Sequence, residues 1–72
     1  MAIEETLLSV SDDLNTLSTM EGTNWEVEPG DETVICTWLP TDLLEITLID
    51  SSSPWPYQIK KGDESVRAMR VL

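Results

Sequence analysis

Hydrophobic residues at the start of the chain recur with the period of an α-helix. Counted from Ile3, the steps to the next apolar positions are 4, 3, 4 and 3 residues. The stripe consists of Ile3, Leu7, Val10, Leu14 and Leu17, with Leu8 beside it and Met20 one turn further. Glu4 and Glu5 would lie in the first turn, where the helix dipole favours carboxylates, and Gly22 supplies a stop signal. The pattern predicts an amphipathic helix over roughly residues 2–20.

From Trp25 onward apolar and polar residues alternate, which is the period of a strand with one buried face. The first such segment contains Trp25 and Val27 and ends at a turn over residues 29–32. Two further alternating segments supply the predicted core face, which consists of Val34, Cys36 and Trp38, followed by Leu44, Ile46 and Leu48. Short links rich in turn residues join the three segments, so they predict an antiparallel meander.

The last third of the chain follows a less regular pattern. Two prolines flank Trp55 and remove two hydrogen-bond donors, so this segment suits an edge strand or a loop. Residues 57–60 continue as a short fourth strand. After Gly62 two structures fit: a helix over residues 63–70, with acids first and bases last, or a hairpin followed by a strand over residues 66–71. The order of the charges favours the helix.

The predicted architecture is one α+β domain over residues 1–72. Its N-terminal helix packs on a three- or four-stranded antiparallel meander, and a short helix or strand ends the chain. Such small domains usually need support from a disulfide, a metal or self-association. Cys36 is the single cysteine and histidine is absent, which excludes an internal disulfide and a structural zinc site. A partner protein or a homodimer is then the expected support, and the composition is compatible with a monomer as well.

Charge is distributed very unevenly along the chain. Residues 1–59 hold twelve carboxylates and no base, whereas residues 60–72 hold all four bases and two carboxylates. The first segment therefore carries −12 and the second +2, within a net charge of −10. Such asymmetry points to a charged partner or to an unusual solvent, and it says little about the fold.

The acidic surface has three interpretations: solubility, adaptation to high salt, or a face that presents negative charge to a basic protein groove in place of nucleic-acid phosphates. Duplex DNA carries one charge about every 1.7 Å, so a mimic needs similarly dense carboxylates on one face. Direct binding to nucleic acid is disfavoured because the chain has only four bases against fourteen carboxylates. The candidate carboxylates for such a face are Glu4, Glu5, Asp12, Asp13, Glu26, Glu28, Asp31 and Glu32.

Trp55 is a candidate protein contact, because tryptophan is enriched at interface hot spots and a rigid backbone loses little entropy on docking. The favoured interpretation is that Trp55 covers the end of a small core, as Trp25 and Trp38 are expected to do. Catalysis is not expected. Without histidine no Ser–His or Cys–His pair can form, and Cys36 in an apolar stripe is expected to be a buried, inert thiol. The acids of residues 26–32 match no calcium loop, and no cofactor is predicted.

The sequence thus predicts a non-enzymatic interaction protein that docks on a basic surface of another protein, for example as an inhibitor that mimics nucleic-acid charge. The alternative is a dimeric chaperone-like or structural subunit that binds apolar segments through its helix or an open sheet edge. The first residues lack the basic region of a signal peptide, and no apolar run is long enough to span a bilayer. One unpaired thiol suits a reducing compartment, so the expected location is the cytoplasm.

Overall fold

Within the described residues, six antiparallel strands form a closed barrel, and one short helix accompanies them. The computed structural model describes residues 2–12 and 15–71. The elements are β1 (Ala2–Val10), β2 (Thr16–Thr19), β3 (Asn24–Val27), α1 (Glu32–Ile35), β4 (Leu43–Leu48), β5 (Tyr57–Lys61) and β6 (Glu64–Val71). The strand order is β1-β2-β3-β6-β5-β4, and the sheet closes because β1 pairs with β4 as well as with β2. The predicted α+β architecture, a helix on a meander, is therefore wrong.

The predicted N-terminal helix is a β-hairpin. Leu7 is fully buried while Leu8 is 50% exposed, as expected for neighbours on opposite faces of a strand. A bulge between Leu7 and Ser9 shifts the register, so that Leu7 and Val10 both face the core at a spacing of three residues. The bulge thereby imitates a helical turn, and the hairpin brings Leu17 opposite Val10. Leu14, which the helix prediction placed in the core, lies outside the described residues.

The predicted strand through Val34, Cys36 and Trp38 is also wrong. The amide of Val34 donates a hydrogen bond to the carbonyl of Asp31 (3.0 Å), and the amide of Trp38 donates one to the carbonyl of Ile35 (3.0 Å). This segment therefore coils into α1 and a turn. Ile35 and Trp38 enter the core at helical spacing, Val34 is half-buried, and Cys36 is exposed. The prediction that Cys36 is a buried thiol is therefore wrong. Packing of the barrel end overrides the alternating pattern here.

The strand predictions for the second half of the chain are mostly confirmed. β4 lies where the alternation places it, and Leu44 and Ile46 are buried as predicted. β5 matches the short fourth strand predicted over residues 57–60. Leu48 is 46% exposed, because it lies at the end of its strand. Of the two structures considered after Gly62, the hairpin and strand are confirmed, and the favoured helix is wrong. β6 pairs with β5 and β3, so both of its edges are hydrogen-bonded.

The two ends of the barrel differ. At one end, which we call the covered end, α1 and the following turn bring the buried side chains of Ile35 and Trp38 against the core. Trp38 Nε1 donates to Glu64 Oε1 across this end at 3.0 Å. At the opposite end, which we call the open end, Ile3 near the start of β1 and Leu48 at the end of β4 remain 44% and 46% exposed. Among the described residues no helix is long and apolar enough to cross a membrane.

Asp42 ties the covered end together. Its Oδ2 accepts a hydrogen bond from the amide of Leu39 (2.7 Å) and lies 3.1 Å from Lys61 Nζ. The Leu39 amide, followed by Lys61, lowers the pKa of Asp42 below its usual value. Near the open end, the hydroxyl and then the amide of Ser52 lower the pKa of Asp50 in the same way. The folded protein therefore favours the charged form of both carboxylates over the neutral form.

These lowered pKa values predict a loss of stability in acid. A carboxylate whose folded-state pKa lies below its unfolded value of about 3.9 stabilises the fold above that pH, and the contribution is lost as the pH falls through the folded-state pKa. The melting temperature of the double variant Asp42→Asn/Asp50→Asn should therefore fall less than that of the wild type when the pH is lowered from about 5 to about 2. The exposed Asp63→Asn serves as the control. Equal acid sensitivity of the double variant and the wild type would contradict this account.

Candidate functional site

Four of the predicted carboxylates lie together where β3 leads into α1. Glu26 is exposed on the outer face of β3, and Glu28, Asp31 and Glu32 follow within the link and the first turn of α1. The amide of Asp31 donates to the carbonyl of Glu28 at 3.2 Å, so the link folds back on itself and keeps these residues in one small region. We call Glu26, Glu28, Asp31 and Glu32 the acidic side.

The β1–β2 turn brings Asp12 towards the acidic side. The amide of Val27 donates to the carbonyl of Asn15 at 2.8 Å, and Thr16 is the cross-strand partner of Glu26. The turn that carries Asp12 is therefore anchored beside the end of β3, and Asp12 itself is exposed. Asp13, the other predicted carboxylate of this turn, lies outside the described residues.

All four bases lie on the two strands β5 and β6. Arg67 is the base that the register places next to the acidic side, because its neighbour Ala68 pairs with Val27. Its guanidinium is occupied elsewhere: Nη2 and Nε donate to the carbonyl oxygen of Trp55 at 2.7 and 3.0 Å. Within the part of the chain that the structure describes, no ion pair joins a base to the acidic side. The negative charge there is left to solvent or a partner.

The four carboxylates of the acidic side differ in what they already bind. Asp31 Oδ2 accepts a hydrogen bond from the backbone amide of Arg67 at 3.2 Å, and Glu32 Oε2 accepts one from the backbone amide of Gly30 at 2.7 Å. Both carboxylates therefore help to hold the loop. For Glu26 and Glu28 the structure gives no side-chain hydrogen bond to any described residue. Glu26 and Glu28 are therefore the positions where charge can be changed with the least disturbance of the loop.

Glu4 lies apart from the acidic side. It is exposed on the outer face of β1, two strands away from β3 around the barrel. Its cross-strand partner is Glu45 of β4, which in turn faces Lys60 of β5. Like charges directly opposite one another in a sheet repel, and the neighbouring lysine offsets part of that repulsion. Glu4 thus belongs to a mixed row of charges on another face.

Glu5 is buried inside the barrel. It is 8% exposed, and its two carboxylate oxygens accept hydrogen bonds from Trp25 Nε1 and from Thr23 Oγ1, both at 3.1 Å. These bonds fasten the first half of β1 to the start of β3. Glu5 therefore acts as an internal tie and does not present its charge to a partner. The sequence signal for this was the strand alternation of Ile3, Glu5 and Leu7, which the helix interpretation concealed.

Trp55 lies on the loop between β4 and β5, which Arg67 links to the acidic side. Its side chain is partly buried. Its amide donates a hydrogen bond to Ser53 Oγ at 3.1 Å, and its carbonyl oxygen accepts hydrogen bonds from the Arg67 guanidinium. The backbone of Arg67 also bonds to Glu28 and Asp31, so one residue connects the tryptophan loop to the acidic side. Trp25 and Trp38 are buried in the core, as predicted.

An apolar pocket at the open end was not predicted from the sequence. It has a volume of about 250 Å³ and is lined by Ile3, Ile46, Leu48 and Tyr57. The sequence analysis assigned Ile3 to a helix and Leu48 to the middle of a core face, so the two residues were not placed at one barrel end. No cluster of three or more metal-binding side chains occurs within residues 2–12 and 15–71.

Comparison with known proteins yields no relative, since no family model, curated protein or solved structure matches the chain.

Proposed function

We propose that this protein is a non-enzymatic interaction protein whose acidic side docks on a basic surface of a partner protein. The observation that supports it most is the grouping of Glu26, Glu28, Asp31 and Glu32 beside a single base, Arg67, whose guanidinium is held by the Trp55 carbonyl. The charge sits on a closed barrel, which needs little rearrangement on binding. Complementary potentials of this kind speed association and select the partner.

The partner class that best fits is a protein with a basic groove, such as one that binds nucleic acid. A chain with net charge −10 is repelled by nucleic acid itself but is attracted to a groove built for phosphates. By occupying that groove it would act as an inhibitor. Trp55, on the loop that Arg67 links to the acidic side, can add an apolar anchor to a contact that is otherwise electrostatic. The exposed, single Cys36 supports a reducing compartment, and we place the protein in the cytoplasm.

The alternative, a subunit that binds apolar segments through a helix or a sheet edge, has less support. The barrel is closed because β1 and β4, the first and last strands in the sheet order, pair with each other. Among the described residues this leaves no edge strand for a partner to extend. α1 comprises four residues, too few to offer a helical binding face. A homodimer would also have to overcome the repulsion of two chains that each carry −10.

A pair of matched double variants tests the proposal. Glu26→Gln/Glu28→Gln removes two charges from the acidic side, and Glu4→Gln/Glu45→Gln removes two from the face formed by β1 and β4. Each tagged protein would capture partners from extracts of its native host at low and at high salt, with duplex DNA as a competitor. We expect the wild type and the Glu4/Glu45 variant to retain a protein that salt and DNA release, because exposed charges are screened within about 8 Å at physiological ionic strength. The Glu26/Glu28 variant should retain much less.

Equal capture by the two variants would contradict docking through the acidic side. Capture that is unchanged between low and high salt would contradict electrostatic docking altogether. Thermal melts of both variants check that the barrel is intact, since surface substitutions of this kind usually shift stability by no more than about 0.5 kcal/mol.

A further inference from the structure

The open end of the barrel carries a pocket whose walls are apolar. Cross-strand pairing places Ile3 beside Ile46 and Leu48 beside Tyr57, and these side chains line a space of about 250 Å³. Tyr57 is held in place by Trp25, whose ring meets it edge-on with the ring centres 4.9 Å apart. The wall formed by Tyr57 is therefore preformed.

Arg70 stands at the rim of the same end. It pairs with Trp25, and on β6 it lies two residues beyond Ala68, the direct partner of Tyr57. Residues on such a diagonal are about 7–8 Å apart and share one face of the sheet, so the long side chain of Arg70 can reach the pocket mouth. Arg70 is exposed, and the structure gives its guanidinium no hydrogen bond or ion pair to any described residue.

The other bases have local roles or a different location. Lys61 pairs with Asp42 at 3.1 Å at the covered end, and the Arg67 guanidinium binds the Trp55 carbonyl. Lys60 faces Glu45 on the outer surface. Arg70 is thus the base that combines an inward-facing strand position with the apolar mouth of the barrel. A guanidinium beside apolar walls suits a ligand that has both a carboxylate and an apolar body.

We propose that the open end binds a small free carboxylic acid with one aromatic ring. The apolar part would fill the pocket between Ile3, Leu48 and Tyr57, and the carboxylate would accept hydrogen bonds from Arg70. The volume of about 250 Å³ lies below the usual range of about 300–1,000 Å³ for sites of drug-sized ligands, so the ligand has to be small. This site is distinct from the acidic side, and its test does not depend on the docking proposal.

Titration of the protein with 3-phenylpropionate, followed by NMR of the methyl groups of Ile3, Ile46 and Leu48, tests the proposal. Two further probes separate the contributions: 3-phenylpropanamide has the same shape without the charge, and propionate has the charge without the ring. Arg70→Gln removes the rim cation, and Lys60→Gln removes a base on the outer face as the matched control.

We expect saturable shifts of the three methyl groups with a dissociation constant of about 1 mM or tighter for 3-phenylpropionate. The amide, propionate and the Arg70→Gln variant should each bind at least about fivefold more weakly, a loss of about 1 kcal/mol, and Lys60→Gln should bind like the wild type. Absence of methyl shifts would overturn the proposal. Equal binding of acid and amide, or equal effects of Arg70→Gln and Lys60→Gln, would also overturn the assignment of the carboxylate to Arg70.

Discussion

Replacement of Leu7 by Ala is expected to lower the free energy of unfolding by about 2–5 kcal/mol, whereas Leu8→Ala should change it by about 0.5 kcal/mol. Leu7 is completely buried in the barrel core, while its neighbour Leu8 is 50% exposed. A chain of this length has a total stability of roughly 4–11 kcal/mol at about 0.05–0.15 kcal/mol per residue. Leu7→Ala can therefore remove half or more of the stability of the domain.

The comparison of these two neighbours distinguishes the barrel from the helix that the sequence pattern predicts. In the helix both leucines belong to the apolar stripe, and truncation of either would be costly. In the barrel they lie on opposite faces of β1. Urea unfolding of both variants, followed by tryptophan fluorescence, measures the difference. Similar losses at Leu7 and Leu8 would contradict the strand.

Glu5→Ala is expected to destabilise the protein by about 1.5–3 kcal/mol, the range for buried hydrogen bonds to a charged group. The substitution leaves Trp25 Nε1–H and the Thr23 hydroxyl without the oxygens that now accept their hydrogen bonds at 3.1 Å. Glu5→Gln keeps one carbonyl oxygen and should lose less. Glu4→Ala, at an exposed neighbouring position, is the control and should be nearly neutral.

Hydrogen exchange of the Trp25 indole N–H gives a second measurement of the same tie. Exchange should be slow in the wild type, because this N–H is bonded to Glu5 within the core. It should be faster in Glu5→Ala and intermediate in Glu5→Gln. An indole that exchanges equally in all three proteins, or a Glu5→Ala variant as stable as Glu4→Ala, would show that Glu5 does not join β1 to β3.

The sequence predicts those elements whose period is not disturbed by a bulge or a tight turn. β4 follows a clean alternation and was predicted, as was the first strand at Trp25 and Val27. β5 was predicted only as a short continuation after the proline segment. In β1 the bulge after Leu7 converts a spacing of two into one of three, which is the signature of a helix. In β6 the order of acids and bases favoured a helix, but pairing with strands on both sides outweighs it.

Barrel closure could not be predicted from local patterns, because it depends on the pairing of β1 with β4, which are separated by more than thirty residues. The same limit applies to the functional surfaces. Glu26, Glu28, Asp31 and Glu32 are close in sequence, and their grouping could be predicted. The burial of Glu5, the separate location of Glu4 and the pocket at the open end all follow from closure.

Closure of the barrel through β1 determines where the acidic side, Glu5 and the open end lie. An NMR measurement of nuclear Overhauser effects tests it most directly. The closed barrel predicts cross-strand contacts between Ile3 and Ile46 and between Leu7 and Thr19, which are paired in the sheet. Contacts between residues three and four positions apart along residues 2–20, without those cross-strand contacts, would indicate a helix and contradict the barrel.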